Sequence, residues 1–153
     1  MVFSLSALLF TLGCCLVSMI IAGKSGSNED KEWFANLKHP DNSFLPKIIY
    51  TVGVLFYLLL GFVLYHLFVI KDVASIALTI AIIQLMGLSP FFKYKTKNLK
   101  LFFFVTLIIP VITLVLIVFL LQSNPILAIP IAAFLMWLVY DFSYYYRLMK
   151  LNT

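Results

Sequence analysis

Five apolar stretches occupy most of this chain: residues 2–22, 46–70, 73–92, 101–121 and 126–148. A helix of about 20 residues crosses a hydrocarbon core of roughly 30 Å, so each stretch is long enough to span a bilayer. Inside lipid no water is available to the backbone, and every N–H and C=O must find an internal partner. Helices satisfy that demand locally. A membrane-spanning barrel would need segments of about ten residues that alternate apolar and polar positions, whereas these runs are continuously apolar. The expected fold is therefore an all-α bundle of five transmembrane helices forming a single domain over residues 1–153.

Composition agrees with lipid as the solvent. The chain is 63% hydrophobic and 11% charged, against about 25% charged for a soluble domain. The formal net charge of +5 is no nucleic-acid signal, because the basic residues sit in the connections and at span ends. One side carries Lys24, Lys31, Lys38, Lys47, Lys93, Lys95, Lys97, Lys100, Arg147 and Lys150; the other carries only Lys71. The positive-inside rule then places the lysine-rich side in the cytoplasm, with the N-terminus outside and the C-terminus inside, in a plasma or inner membrane. The first stretch lacks a basic residue before Lys24 and exceeds the usual 7–15-residue core of a signal peptide, so it reads as a true span. Aromatic residues gather near span ends (Phe91, Phe92, Tyr94; Tyr144, Tyr145, Tyr146), as interfacial anchors do.

The connections are short except for residues 23–45. That segment holds Trp33, Phe34, Leu37 and Phe44, apolar groups that need burial, and is expected to fold over the cytoplasmic end of the bundle as a lid. Within it, Trp33-Phe34-Ala35-Asn36-Leu37-Lys38-His39-Pro40 is followed without a gap by Val52, Phe56-Tyr57 and Gly61. The series resembles the TspO/MBR family, the tryptophan-rich sensory proteins and translocator proteins, whose first loop runs Trp-Tyr-x-x-Leu-x-Lys-Pro. Phe91-Phe92, Pro130 and Arg147-Leu148 fall on further family positions, so the resemblance covers essentially the whole chain.

The resemblance implies a pocket beneath the first connection that binds a flat hydrophobic ligand, with porphyrin or haem as the ligand class. Together with helical spacing it places Trp33, Tyr50, Gly53, Tyr57, Gln84, Phe134 and Trp137 at the ligand site; Asp141 joins them from its position inside the fifth span, since the family gives that position no role. A homodimer through the third span, where Ala77 and Ala81 share a face, is also implied. The departures are as informative. The second-span tryptophan of the family is Gly53 here, the third-span tryptophan is Gly87, and the pocket-facing tryptophan of the fifth span is Phe134. The family's loop Trp-x-Pro-Pro reads Asn42-Ser43-Phe44-Leu45-Pro46, and only Trp33 and Trp137 remain. Family members are linked to light-dependent porphyrin breakdown through pocket tryptophans, so that chemistry is an alternative carried less well by this chain. A third alternative is a diverged structural protein whose cavity has closed.

Read from the residues alone, Gly53, Tyr57, Gly61 and Tyr65 repeat every four positions and share one helix face. Such a face either lines a cavity or packs closely on a neighbour. Asp141 lies within a span, where a charge costs at least about 2.5–3.5 kcal/mol and should face the bundle interior. Gln84 is expected to bond across helices. Pro110 falls in mid-span and should kink the fourth one. His66 is a lone histidine without metal-ligand neighbours, and His39 reads as an ordinary loop residue. Cys14 and Cys15 point about 100° apart and read as packing residues. Val139, Tyr144 and Arg147 match a loose cholesterol-contact pattern. No nucleophile–base pair, phosphate loop or metal cluster is visible, so neither catalysis nor a metal is expected from the residues themselves.

Overall fold

The computed structural model describes residues 4–40 and 45–153, with the side chains of residues 45–47 and Tyr50 excluded. The expectations placed on Asn42, Ser43, Phe44 and the Tyr50 side chain lie outside the described residues. Six helices are seen among these: α1 (Leu5–Lys24), α2 (Asn28–Ala35), α3 (Leu45–Ile70), α4 (Val73–Thr96), α5 (Leu99–Ser123) and α6 (Pro125–Leu151). All but α2 carry a segment long and apolar enough to cross a membrane. Large apolar side chains such as Leu58, Ile126 and Met136 are exposed on the outer surface, where lipid rather than water would meet them.

The spans end later than their apolar runs. α4 continues to Thr96, past Lys93, and α6 to Leu151. Charge ends an apolar run, but it does not end a helix. Side chains cap the starts: Ser4 accepts from Ala7 N, Asp72 from Ser75 N, and Asn98 from Leu101 N, each satisfying an amide that the helix leaves without a partner. Asp72 also takes the hydroxyl of Ser123 at 2.9 Å, tying the α3–α4 turn to the end of α5. Partial burial works against its charge, but these hydrogen bonds prevail and hold its pKa below the ordinary value. Lys71 and Lys97 reverse the chain with φ of 59° and 49°.

The helices form a ring in which α1 touches α3 and α4, α4 touches α5, α5 touches α6, and α6 meets α3 across the thinnest seam. Small residues set the α1 contacts, as expected where lipid supplies no hydrophobic drive and close approach must hold helices together. Gly61 of α3 faces Thr11 and Cys15. Gly87 of α4 lies directly against Ser18, with no room for a Cβ. The Ser18 hydroxyl donates to the Ile83 carbonyl, and the Tyr57 hydroxyl donates to Ser18 Oγ at 3.1 Å. One buried serine thus joins α1, α3 and α4. Ala77, on the outer side of α4, is exposed.

Candidate functional site

A cavity of about 290 Å³ opens between the five spans at their lysine-rich end. Its walls follow helical spacing. α3 contributes Gly53, Phe56 and Tyr57, and α6 contributes Phe134, Trp137, Asp141 and Tyr145. α4 adds Met86, Ser89, Pro90 and Lys93, while α5 adds Phe102, Thr106 and Pro110. Met19 and Ala22 of α1 complete the wall.

Two prolines lie on this wall inside helices, Pro90 and Pro110. Each removes an amide donor and breaks the regular ladder. The carbonyl of Met86, which a residue-90 amide would otherwise meet, accepts from the Ser89 hydroxyl at 3.2 Å. Aromatic rings define the middle of the cavity. Phe56 packs on Phe134 with centroids 4.8 Å apart and on Trp137 at 6.0 Å. Phe102 meets Tyr145 edge-on at 4.7 Å. Gly53 adds open space, since nothing lies within 4 Å of where its Cβ would stand.

Of the eight residues placed at the site from sequence, Gly53, Tyr57, Phe134, Trp137 and Asp141 line the cavity. Trp33 does not: it packs against the cluster that includes Leu99, Phe102 and Tyr144 and borders a separate outer groove with Leu37 and Lys100. Gln84 is half-buried and away from the cavity wall. The Tyr50 side chain lies outside the described residues. Lys93 is the residue that sequence reasoning missed. The apolar run ends before it, so it reads as part of a connection. In the folded chain it is a buried residue of α4 facing the cavity. The available signal was its position three residues after Pro90 and four after Ser89, on one helical face.

The connection covers this end of the bundle through α2, a helix the sequence reading did not separate from the rest of the lid. Ser27 and Asp30 form a reciprocal capping box at its start, a pattern readable as Ser-x-x-acid. Asp30 pairs with Lys97 at 3.4 Å. Phe34 lies over Lys93, whose Nζ stands 4.3 Å from the ring centroid, and Tyr94 flanks it at 4.5 Å.

His39, read from sequence as an ordinary loop residue, is the lid's fastening. The Phe34 carbonyl can only accept, so Nε2 donates to it at 3.0 Å, and in the neutral ring Nδ1 accepts from the Tyr144 hydroxyl at 2.6 Å. Beside it, Lys38 N donates to Asn152 Oδ1 and Asn152 Nδ2 donates to the Lys38 carbonyl, both at 2.9 Å. The lid is thereby pinned to the end of α6. Replacing His39 by alanine is expected to raise the amide exchange rates of residues 28–39 by about tenfold, the effect of losing roughly 1.4 kcal/mol, while exchange in the spans stays unchanged. Hydrogen-exchange mass spectrometry checks this.

Electrostatics also hold the lid. The Ser27 backbone and hydroxyl donors, helped by Lys97, keep the Asp30 carboxyl below its ordinary pKa. A depressed folded value means that the contribution is complete above the unfolded value, about 3.9 for an aspartate, and is lost as pH falls through the lower folded one. The capping turn, not the packed bundle, covers Asp30, so water still screens its charge. Lid protection is expected to fall below about pH 4, with Asp30→Asn removing that acid-side dependence in the same exchange measurement.

Five packed spans around a lidded cavity define a multi-pass integral membrane protein with an internal aromatic site. The TspO/MBR family model matches residues 10–150, nearly the whole chain, and the chain belongs to the TspO/MBR family. No curated protein matches the sequence.

Proposed function

We propose that the protein is a non-enzymatic receptor or carrier for a flat hydrophobic ligand, a porphyrin or another tetrapyrrole, held in the cavity beneath α2. The observation that carries this reading is the cavity itself: about 290 Å³ of space walled by Phe56, Tyr57, Phe134 and Trp137. That volume lies near the lower end of ligand pockets, about 300–1,000 Å³, and the walls offer ring faces against which a flat molecule stacks. Open space between Tyr57 and Phe134 weighs against a diverged protein with a closed interior. The family's photochemical alternative loses support from the same wall, because glycine and phenylalanine stand at Gly53 and Phe134 where the resemblance expects tryptophan. Charge distribution favours a cytoplasmic lid, with ten of the eleven basic residues assigned to the side of the first connection, among them Lys31, Lys97 and Lys150.

The two tryptophans supply the test. Trp137 lines the cavity and Trp33 does not. In a Trp33→Phe variant, protoporphyrin is expected to quench the remaining tryptophan emission saturably at one ligand per chain. In Trp137→Phe, quenching of Trp33 should be markedly weaker. Equal quenching in the two variants, or none in either, would sink the proposed site.

A further inference from the structure

Lys93 and Asp141 put two opposite charges on the cavity wall without closing them into an ion pair. They come from α4 and α6 and line the same cavity. Yet among the described residues the only ion pair within 4.0 Å is Asp30–Lys97. Lys93 Nζ rests instead over the rings of Phe34 and Tyr94. Asp141 Oδ1 is buried and has no hydrogen-bond partner among the described residues. A buried acceptor without a donor is costly, and a separated charge pair in a bundle interior recovers little of its desolvation cost. The arrangement is complementary to something that fits between the two groups.

We propose that Lys93 and Asp141 form a head-group subsite that takes an uncharged ligand end carrying both an acceptor and a donor, of which a primary amide is the type. This rests on the cavity being a ligand site, as proposed above, and specifies the ligand's polar end. The carbonyl of an amide accepts from the Lys93 ammonium, and its N–H donates to Asp141 Oδ1. The pair carries no net charge, so a neutral end suits it. An ionised carboxylate could accept from Lys93, but it has no proton to give Asp141 and would place a second negative charge beside it. An ester accepts and cannot donate. The subsite lies at the lid end, under Phe34, and the apolar body of the ligand then extends toward Phe56 and Phe134.

The test uses one flat body with three ends: the diamide, dimethyl ester and free diacid of mesoporphyrin, titrated against the purified full chain in detergent. The diamide is expected to bind at least about tenfold tighter than the ester, with the diacid no tighter than the ester. Asp141→Leu and Lys93→Met should each bring the diamide and ester within about twofold. Asp141→Asn, which keeps an acceptor, should retain part of the preference. Equal affinity for all three ligands in the unaltered protein overturns the head-group assignment while leaving the cavity reading intact. A tighter diacid, or a diamide preference that survives in both variants, also overturns it. Failure of all three to bind removes the cavity reading and this assignment with it.

Discussion

Gly87→Ala is expected to destabilise the bundle by about 1–3 kcal/mol, the range for forcing extra atoms into a packed interior. In an open helical position the same change stabilises by roughly 0.5–1 kcal/mol, so the sign itself reports the contact. A Cβ at position 87 would overlap the Ser18 hydroxyl and approach the Ser18 carbonyl oxygen to 2.7 Å and its Cα to 3.0 Å. Two of these atoms are backbone, so a rotamer change cannot relieve the clash; α1 must move away from α4. That movement also strains the Ser18 bonds to Ile83 and Tyr57. Gly61→Ala is the graded comparison, since its Cβ would meet Cys15 Sγ at 3.2 Å and Thr11 Cγ2 at 3.6 Å. Gly13→Ala is the open one, with nothing within 4 Å. Thermal unfolding in detergent should rank the variants Gly13→Ala, Gly61→Ala, Gly87→Ala in decreasing stability. A Gly87→Ala protein as stable as Gly13→Ala would remove the proposed α1–α4 contact.

Gly53→Trp is expected to leave the fold intact and to weaken protoporphyrin binding by at least about tenfold, or 1.4 kcal/mol. The new side chain would project from α3 toward Phe56, Tyr57 and Trp137, into space that is empty beside Gly53. It would occupy the volume assigned to the ligand. Filling a cavity adds dispersion contacts, so the melting temperature should hold or rise while affinity falls. Porphyrin fluorescence anisotropy reads the affinity without interference from the added indole. Unchanged binding together with an unchanged melting temperature would place Gly53 on the lipid side of α3 and defeat the cavity assignment.

These two glycines show where the sequence stops being sufficient. Both stand where the TspO/MBR resemblance expects tryptophan, and both lie in spans read correctly from their apolar runs. One adds open space to a cavity and the other fills a contact with Ser18. Helical spacing tells which residues share a face, as it does for Gly53 and Tyr57, but not which neighbour that face meets. Trp33 illustrates the same gap: it was legible as a lid residue, yet its ring packs on the cluster of Leu99 and Tyr144. His39 became the lid's fastening only because a distant Tyr144 stands 2.6 Å away.

The sequence by itself determined the five spans, the burial demand of the first connection and the family, because the bilayer requires long apolar helices and a run of spaced residues survives without any folding. The tertiary structure alone decided that Lys93 belongs to a span, that it shares a cavity wall with Asp141, and that Gly53 opens a cavity while Gly87 closes a contact. Those outcomes depend on the order of helices around the ring and on the depth at which each crosses its neighbours. Packing between distant segments sets both, and spacing along one helix records neither.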